Sequence, residues 1–151
     1  MPQSFASNNQ HIIFSTKDRH AFFRDKELRE EVFHYIAGVT KNLGCQSILM
    51  GGYVDHVHLL VSLSRTITIA DYVKEVKRVS NIWLKGKGGM LKKFAWQNGY
   101  AAFSVSESNG GAVANYIQRQ EEHHSGVGFK QEYLSFLKKH GIEWDERYVW
   151  D

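Results

Sequence analysis

The stretch "DHVHLLVS", residues 55–62, sets His56 and His58 one valine apart in a run that otherwise reads as a β-strand. Strand side chains alternate faces, so both imidazoles point the same way, about 6.6 Å apart along the chain. "CQSILMGGYV" (45–54) is a second strand with a Gly-Gly break, and it ends almost where the histidine strand begins. So short a connection predicts an antiparallel hairpin.

Outward from this hairpin the pattern continues as strands and helices. "QHIIFST" (10–16) is apolar and β-rich, a further strand. Residues 25–43 read as a helix: Leu28, Val32, Tyr35, Ile36 and Val39 fall at helical spacing, Asp25 caps it and Gly44 lies just past its end. A second helix is predicted over 68–84, with Ile69, Val73, Val76 and Trp83 as its buried stripe and Lys74, Lys77, Arg78, Asn81 and Lys85 on the opposite side. "GKGG" (86–89) is a break, "YAAFSVS" (100–106) a strand and "SNGG" (108–111) a turn. "AVANYIQRQEEHH" (112–124) and "FKQEYLSFLKKHG" (129–141) predict two more helices. The order β-α-β-β-α-β-α-α, with antiparallel pairing and two crossover helices, predicts an α+β, ferredoxin-like antiparallel sheet with helices packed on it.

The 151 residues suit one domain, 1–151, and 42% apolar content can build one core. A single cysteine, Cys45, rules out an internal disulfide and a cysteine-based zinc site, and fits a reducing cytoplasm. "MPQSFASNNQ" has no apolar signal-peptide core, and no apolar run reaches the roughly 20 residues a bilayer span needs, so a cytoplasmic protein without a membrane partner is expected.

Net charge is only +3, but from Lys74 to Lys93 seven cations accompany one anion, Glu75. Concentrated positive charge in a small domain is a footprint of a polyanion partner, nucleic acid first, and equally of a solvated lysine-rich helix face.

Tyr116 and Gln120 are four residues apart, so on one helix they share a face. If that face lies over His56 and His58, one cavity holds two imidazoles, an amide oxygen and a phenol. Such a set suits phosphoryl transfer. Three neutral ligands leave open positions on a divalent ion for a phosphate oxygen, and a tyrosine oxygen can attack the phosphorus. Each residue also has a plainer reading. The histidines can be two outward polar strand residues, and Tyr116 a core aromatic packed on Val113. His123 and His124 can sit at a helix C-terminus for its dipole. Asp55 reads as a turn residue or a partner to the histidines rather than a ligand. Gly110 and Gly111 are a turn before a helix, or a hinge for it.

"DHVHLL" followed some sixty residues later by "YIQRQ" resembles the single-tyrosine transposases of the insertion-sequence 200/605 type, whose His-hydrophobic-His motif gives them the name HUH, and their domesticated REP-associated relatives. The resemblance runs through "FSTKDR" (14–19), "VKEVKRVSNIWL" (73–84) and "WQNGYAAFSVS" (96–106), so it covers nearly the whole chain. It implies that His56, His58 and Gln120 hold Mg²⁺ or Mn²⁺. It implies that Tyr116 is the nucleophile, joining a DNA 5′-phosphate and freeing a 3′-hydroxyl, and that Lys74, Lys77 and Arg78 bind phosphates. It further implies single-stranded DNA hairpins as substrates and a homodimer. Imidazoles by themselves favour softer ions than Mg²⁺, so the metal rests on the resemblance. Many domesticated relatives carry asparagine where Gln120 stands, whereas the tail "HGIEWDERYVWD" (140–151) resembles longer family members. Three other functions stay open: a relaxase- or replication-initiator-like nickase, a binding-only hairpin regulator, and a metal-dependent phosphohydrolase that forms no protein–DNA adduct.

Overall fold

A computed structural model describes residues 3–124 and 126–151. Four strands, β1 (Asn9–Ser15), β2 (Gln46–Gly52), β3 (His56–Ser62) and β4 (Ala101–Ser104), form one antiparallel sheet in the order β2-β3-β1-β4. Helix α1 (Lys26–Asn42) joins β1 to β2, and α2 (Ile69–Gly86) joins β3 to β4. This is the ferredoxin-like arrangement expected from the element order.

Strand alternation sorts the side chains between two faces. Ile12 and Phe14 of β1, with Val57, Leu59 and Val61 of β3, enter the larger core beside Val32 and Ile36 of α1 and Tyr72, Val73 and Val76 of α2. The intervening positions, His11 and Ile13 on β1 and His56 and His58 on β3, belong to the opposite face. Register sets Ile13 against His58 and Ser15 against His56. That second face is covered by α3 (Gly110–Gln118), through Ile117, and by α5 (Phe129–Lys139), whose Phe129, Tyr133 and Leu137 pack on Ile13, Ala101 and Phe103. The histidine pair therefore lies beneath two helices rather than in solvent.

Local signals explain the elements. Asp25 Oδ1 accepts from Glu27 N at 3.0 Å and starts α1; Thr68 Oγ1 accepts from Asp71 N at 3.0 Å and starts α2. Gly51 and Gly52, read from the sequence as a break, remain in β2. At Gly51 the need is space: a Cβ there would lie 2.5 Å from Ile117 Cγ2 and 2.9 Å from Ile117 O. The bare glycine is what lets α3 rest on the strand beside His58.

The helix expected over 112–124 is divided. Arg119, at φ −98° and ψ 20°, separates α3 from the short α4 (Gln120–His123), and its N–H bonds Tyr116 O at 3.2 Å, a tightened three-residue turn. Gly110 and Gly111 are not the predicted turn but the first residues of α3. After α5 the tail folds back, and Gly99 N donates to Asp151 O at 2.9 Å. Among the described residues, no helix is long and apolar enough to cross a membrane.

Candidate active site and metal centre

His56 and His58 are fully buried, and each ring is fixed from behind. His56 Nδ1 lies 2.8 Å from Asp55 Oδ1, at the turn before β3, and His58 Nδ1 lies 2.8 Å from His11 Nε2 on β1. These partners leave both Nε2 atoms facing the space under α3 and α5. Asp55 thus acts as a partner of His56, one of the two roles expected for it.

Gln120, at the start of α4, reaches the same space. Its Oε1 sits 3.0 Å from His56 Nε2 and 2.8 Å from His124 Nε2. Three of the four site residues read from the sequence therefore converge. Tyr116 joins them, its ring centroid 5.8 Å from that of His58. The division of the helix at Arg119 does not separate Tyr116 from Gln120.

The centre of the site is a residue the sequence reading passed over. Glu132, on α5, has a side chain only 1% exposed. Its Oε1 lies 3.0 Å from His58 Nε2, 3.3 Å from His124 Nε2 and 3.4 Å from His56 Nε2. Its Oε2 accepts the Tyr116 hydroxyl and lies 3.3 Å from His123 Nε2, which is 3.2 Å from the phenol oxygen. A buried carboxylate without partners would be prohibitively costly, and here both oxygens are engaged.

The electrostatics follow from burial and from this carboxylate. Burial opposes ionisation of Glu132, but hydrogen bonds from His124 and His58 outweigh it and hold the carboxyl well below the usual carboxylate range. Burial likewise opposes the charge of His124, yet Glu132 and the Val127 carbonyl raise its pKa. Burial, against the pull of Glu132, takes His58 down to about 4. Burial, with His58 beside it, takes His11 down to about 3. Burial and the Glu132 carboxylate push the Tyr116 phenol well above its usual range, so the hydroxyl keeps its proton at neutral pH. A cavity of about 690 Å³ opens beside it, walled by Phe103, Val113, Phe136 and His140.

The basic helix lies elsewhere. α2 packs on the opposite face of the sheet from the histidines. Lys74, Lys77 and Arg78 line a separate groove with Asn81, Asn98 and Tyr100. Lys74 is exposed, and Arg78 pairs with Glu75. Lys77 is only half-exposed, and burial draws its pKa down to about 8. Its ammonium donates to the carbonyls of Gln97, Asn98 and Gly99 at 2.8, 3.1 and 2.7 Å. Trp96 is core: it is 7% exposed and its Nε1 donates to Ser80 Oγ at 2.9 Å.

Comparison with known proteins places this site in context. The family model described as "Transposase IS200 like" matches residues 4–120. The ISDra2 transposase TnpA of Deinococcus radiodurans is 30% identical over 121 residues, which is 74% of this chain and 83% of that protein. A crystal structure of a transposase from D. radiodurans R1 superposes with TM-score 0.65 at 24% identity, covering 80% of this chain and 95% of that one. A REP-associated tyrosine transposase bound to a REP hairpin gives TM-score 0.61 at 13% identity, covering 84% of this chain and 74% of that one. The family match ends at Gln120, so His123, His124 and Glu132 lie beyond it.

Proposed function

The chain belongs to the IS200-like transposase family, and on that premise we propose that it cleaves and rejoins single-stranded DNA through a 5′-phosphotyrosine at Tyr116. The observation that carries this reading is the convergence of the Tyr116 phenol with His56, His58 and Gln120 in one buried site.

His56, His58 and Gln120 would hold a divalent ion, Mg²⁺ or Mn²⁺. The donor set fits one, because two Nε2 atoms and an amide oxygen face a single space. When bound, the ion supplies charge neutralisation at the scissile phosphate. The chain's own groups do the rest. The phenol oxygen of Tyr116, oriented by the hydrogen bond its hydroxyl donates to Glu132 Oε2, attacks phosphorus and gives its proton to water in the cavity beside it. The new bond is Tyr116 Oη–P. The P–O3′ bond breaks with its electron pair on O3′, which takes a proton from water and leaves as a 3′-hydroxyl. Rejoining reverses these steps with another 3′-hydroxyl as nucleophile, so the phosphodiester energy is kept.

A relative bound to a hairpin supports hairpin-bearing strands as the substrate. Lys74 and Arg78 contact their phosphates along the α2 groove, and Lys77 shapes that groove by pinning residues 97–99. The working unit is a cytoplasmic homodimer. The test is incubation with 3′-labelled single strands from both flanks of the gene, in Mn²⁺, followed by a denaturing protein gel. A labelled band with the native protein and none with Tyr116→Phe is expected. Tight hairpin binding without a band would turn the reading to a binding-only regulator.

A further inference from the structure

We infer that the site binds its ion through five protein donors rather than three, adding His124 Nε2 and Glu132 Oε1 to His56, His58 and Gln120, and that it selects Mn²⁺ over Mg²⁺. This rests on the proposed metal role of the first three residues. The two added donors lie past the residues the family match covers.

Spacing carries the first part. In an octahedral site with bonds of about 2.2 Å, neighbouring donors stand roughly 3.1 Å apart and opposite ones about 4.4 Å. Here the nitrogen–oxygen separations are 2.8, 3.0, 3.0, 3.3 and 3.4 Å. The donor atoms of His56, His58, His124 and Glu132 all lie within 4.8 Å of one another.

Hydrogen-bond bookkeeping carries the second part. Asp55 Oδ1 and Val127 O are acceptors, so the rings of His56 and His124 must present N–H at Nδ1. Without a proton at Nε2 these rings would set lone pairs against two oxygen acceptors, Gln120 Oε1 and Glu132 Oε1. Acceptor against acceptor is repulsive unless a cation stands between them: a proton on each ring, or one ion shared by both. The Gln120 amide turns its oxygen to the centre and leaves its Nε2, which is buried, without a partner among the described residues. That orientation is the one an oxygen-seeking ion requires.

Chemistry sets the preference. Three imidazoles and one carboxylate suit a first-row transition dication better than Mg²⁺, which retains water and favours oxygen. Glu132 also joins the ion to the nucleophile, one oxygen at the centre and the other on the Tyr116 hydroxyl.

The test uses the full chain stripped with EDTA and titrated with Mn²⁺ calorimetrically, beside Glu132→Gln, His124→Gln and Tyr116→Phe. The first two should weaken Mn²⁺ binding on the order of 10- to 100-fold, with Tyr116→Phe near native. Mg²⁺ should compete only at large excess. Pulsed EPR of native protein with one Mn²⁺ needs no variant to fold and should count three coupled imidazole nitrogens. Two coupled imidazoles, or native-like affinity in folded Glu132→Gln and His124→Gln, would overturn the five-donor site and leave the three-ligand reading standing. Absence of Mn²⁺ binding by the native protein would overturn both.

Discussion

Gly51→Ala tests how Tyr116 is held. Gly51 pairs with His58 across the β2–β3 ladder, and its backbone sits against Ile117, the neighbour of Tyr116. Its φ lies outside the region that disfavours side chains, so alanine meets no backbone strain. Packing is the obstacle. The new methyl would lie 2.5 Å from Ile117 Cγ2 and 2.9 Å from Ile117 O. Ordinary contacts need about 3.5 Å, so the buried methyl must retreat about 1 Å and the α3 carbonyl about half as far. Two effects compete for stability. Glycine in a strand costs about 0.5–1 kcal/mol relative to alanine, whereas overpacking costs about 1–3 kcal/mol. Because one clashing atom is backbone, overpacking wins, and the net expectation is a loss of about 1–2 kcal/mol. The larger effect is on chemistry: moving Tyr116, the proposed nucleophile, by a good part of 1 Å lowers the rate of adduct formation by about 10- to 100-fold. Gly38→Ala is the control. Gly38 is an exposed position of α1 with nothing within 4 Å of its added Cβ, so the change should stabilise by about 0.5–1 kcal/mol and leave the rate unchanged. Thermal melts and single-turnover adduct kinetics read both. A folded Gly51→Ala protein within twofold of the native rate would refute the idea that α3 docks on this glycine to place Tyr116.

Further outcomes follow from the partners of the site. His11→Phe removes the group bonded to His58 Nδ1 and should weaken Mn²⁺ binding about 10- to 100-fold by calorimetry; unchanged affinity would show that His11 does not orient His58. Lys77→Met should cost about 2–3 kcal/mol by chemical denaturation, because it removes a charged donor from three carbonyls; an unchanged midpoint would count against that pinning role. Lys74→Ala should leave stability unchanged and reduce the salt slope of hairpin binding by about 1; an unaltered slope would remove Lys74 from the phosphate contacts.

The fold was legible because its signals are local. The apolar, β-rich run of β1, the alternation in β3, the cap at Asp25 and the short β2–β3 link each act within a few residues. The convergence of the candidate site residues was legible where spacing carried it: His56 with His58, and Tyr116 with Gln120. Glu132 was not. In "FKQEYLSFLKKHG" it looks like any solvated helix charge, and only the docking of α5 on β1 and β4 buries it. His11 had a weak signal, since it alternates with Ile12 and Phe14 and so faces away from their core. Nothing in the sequence set it beside His58, because register is a tertiary fact. His123 and His124 suited a helix end so well that their inward rings were hidden. Lys77 shares one helix with Lys74 and Arg78, yet only chain folding brings the 97–99 carbonyls to it.

The most direct measurement is to trap the protein–DNA adduct formed with a hairpin-bearing single strand in Mn²⁺, digest both components, and locate the nucleotide by tandem mass spectrometry. A 5′-phosphonucleotide on the peptide bearing Tyr116, with a free 3′-hydroxyl on the released strand, is the expected result. A nucleotide on any other residue, or strand cleavage without an adduct, would contradict the tyrosine mechanism.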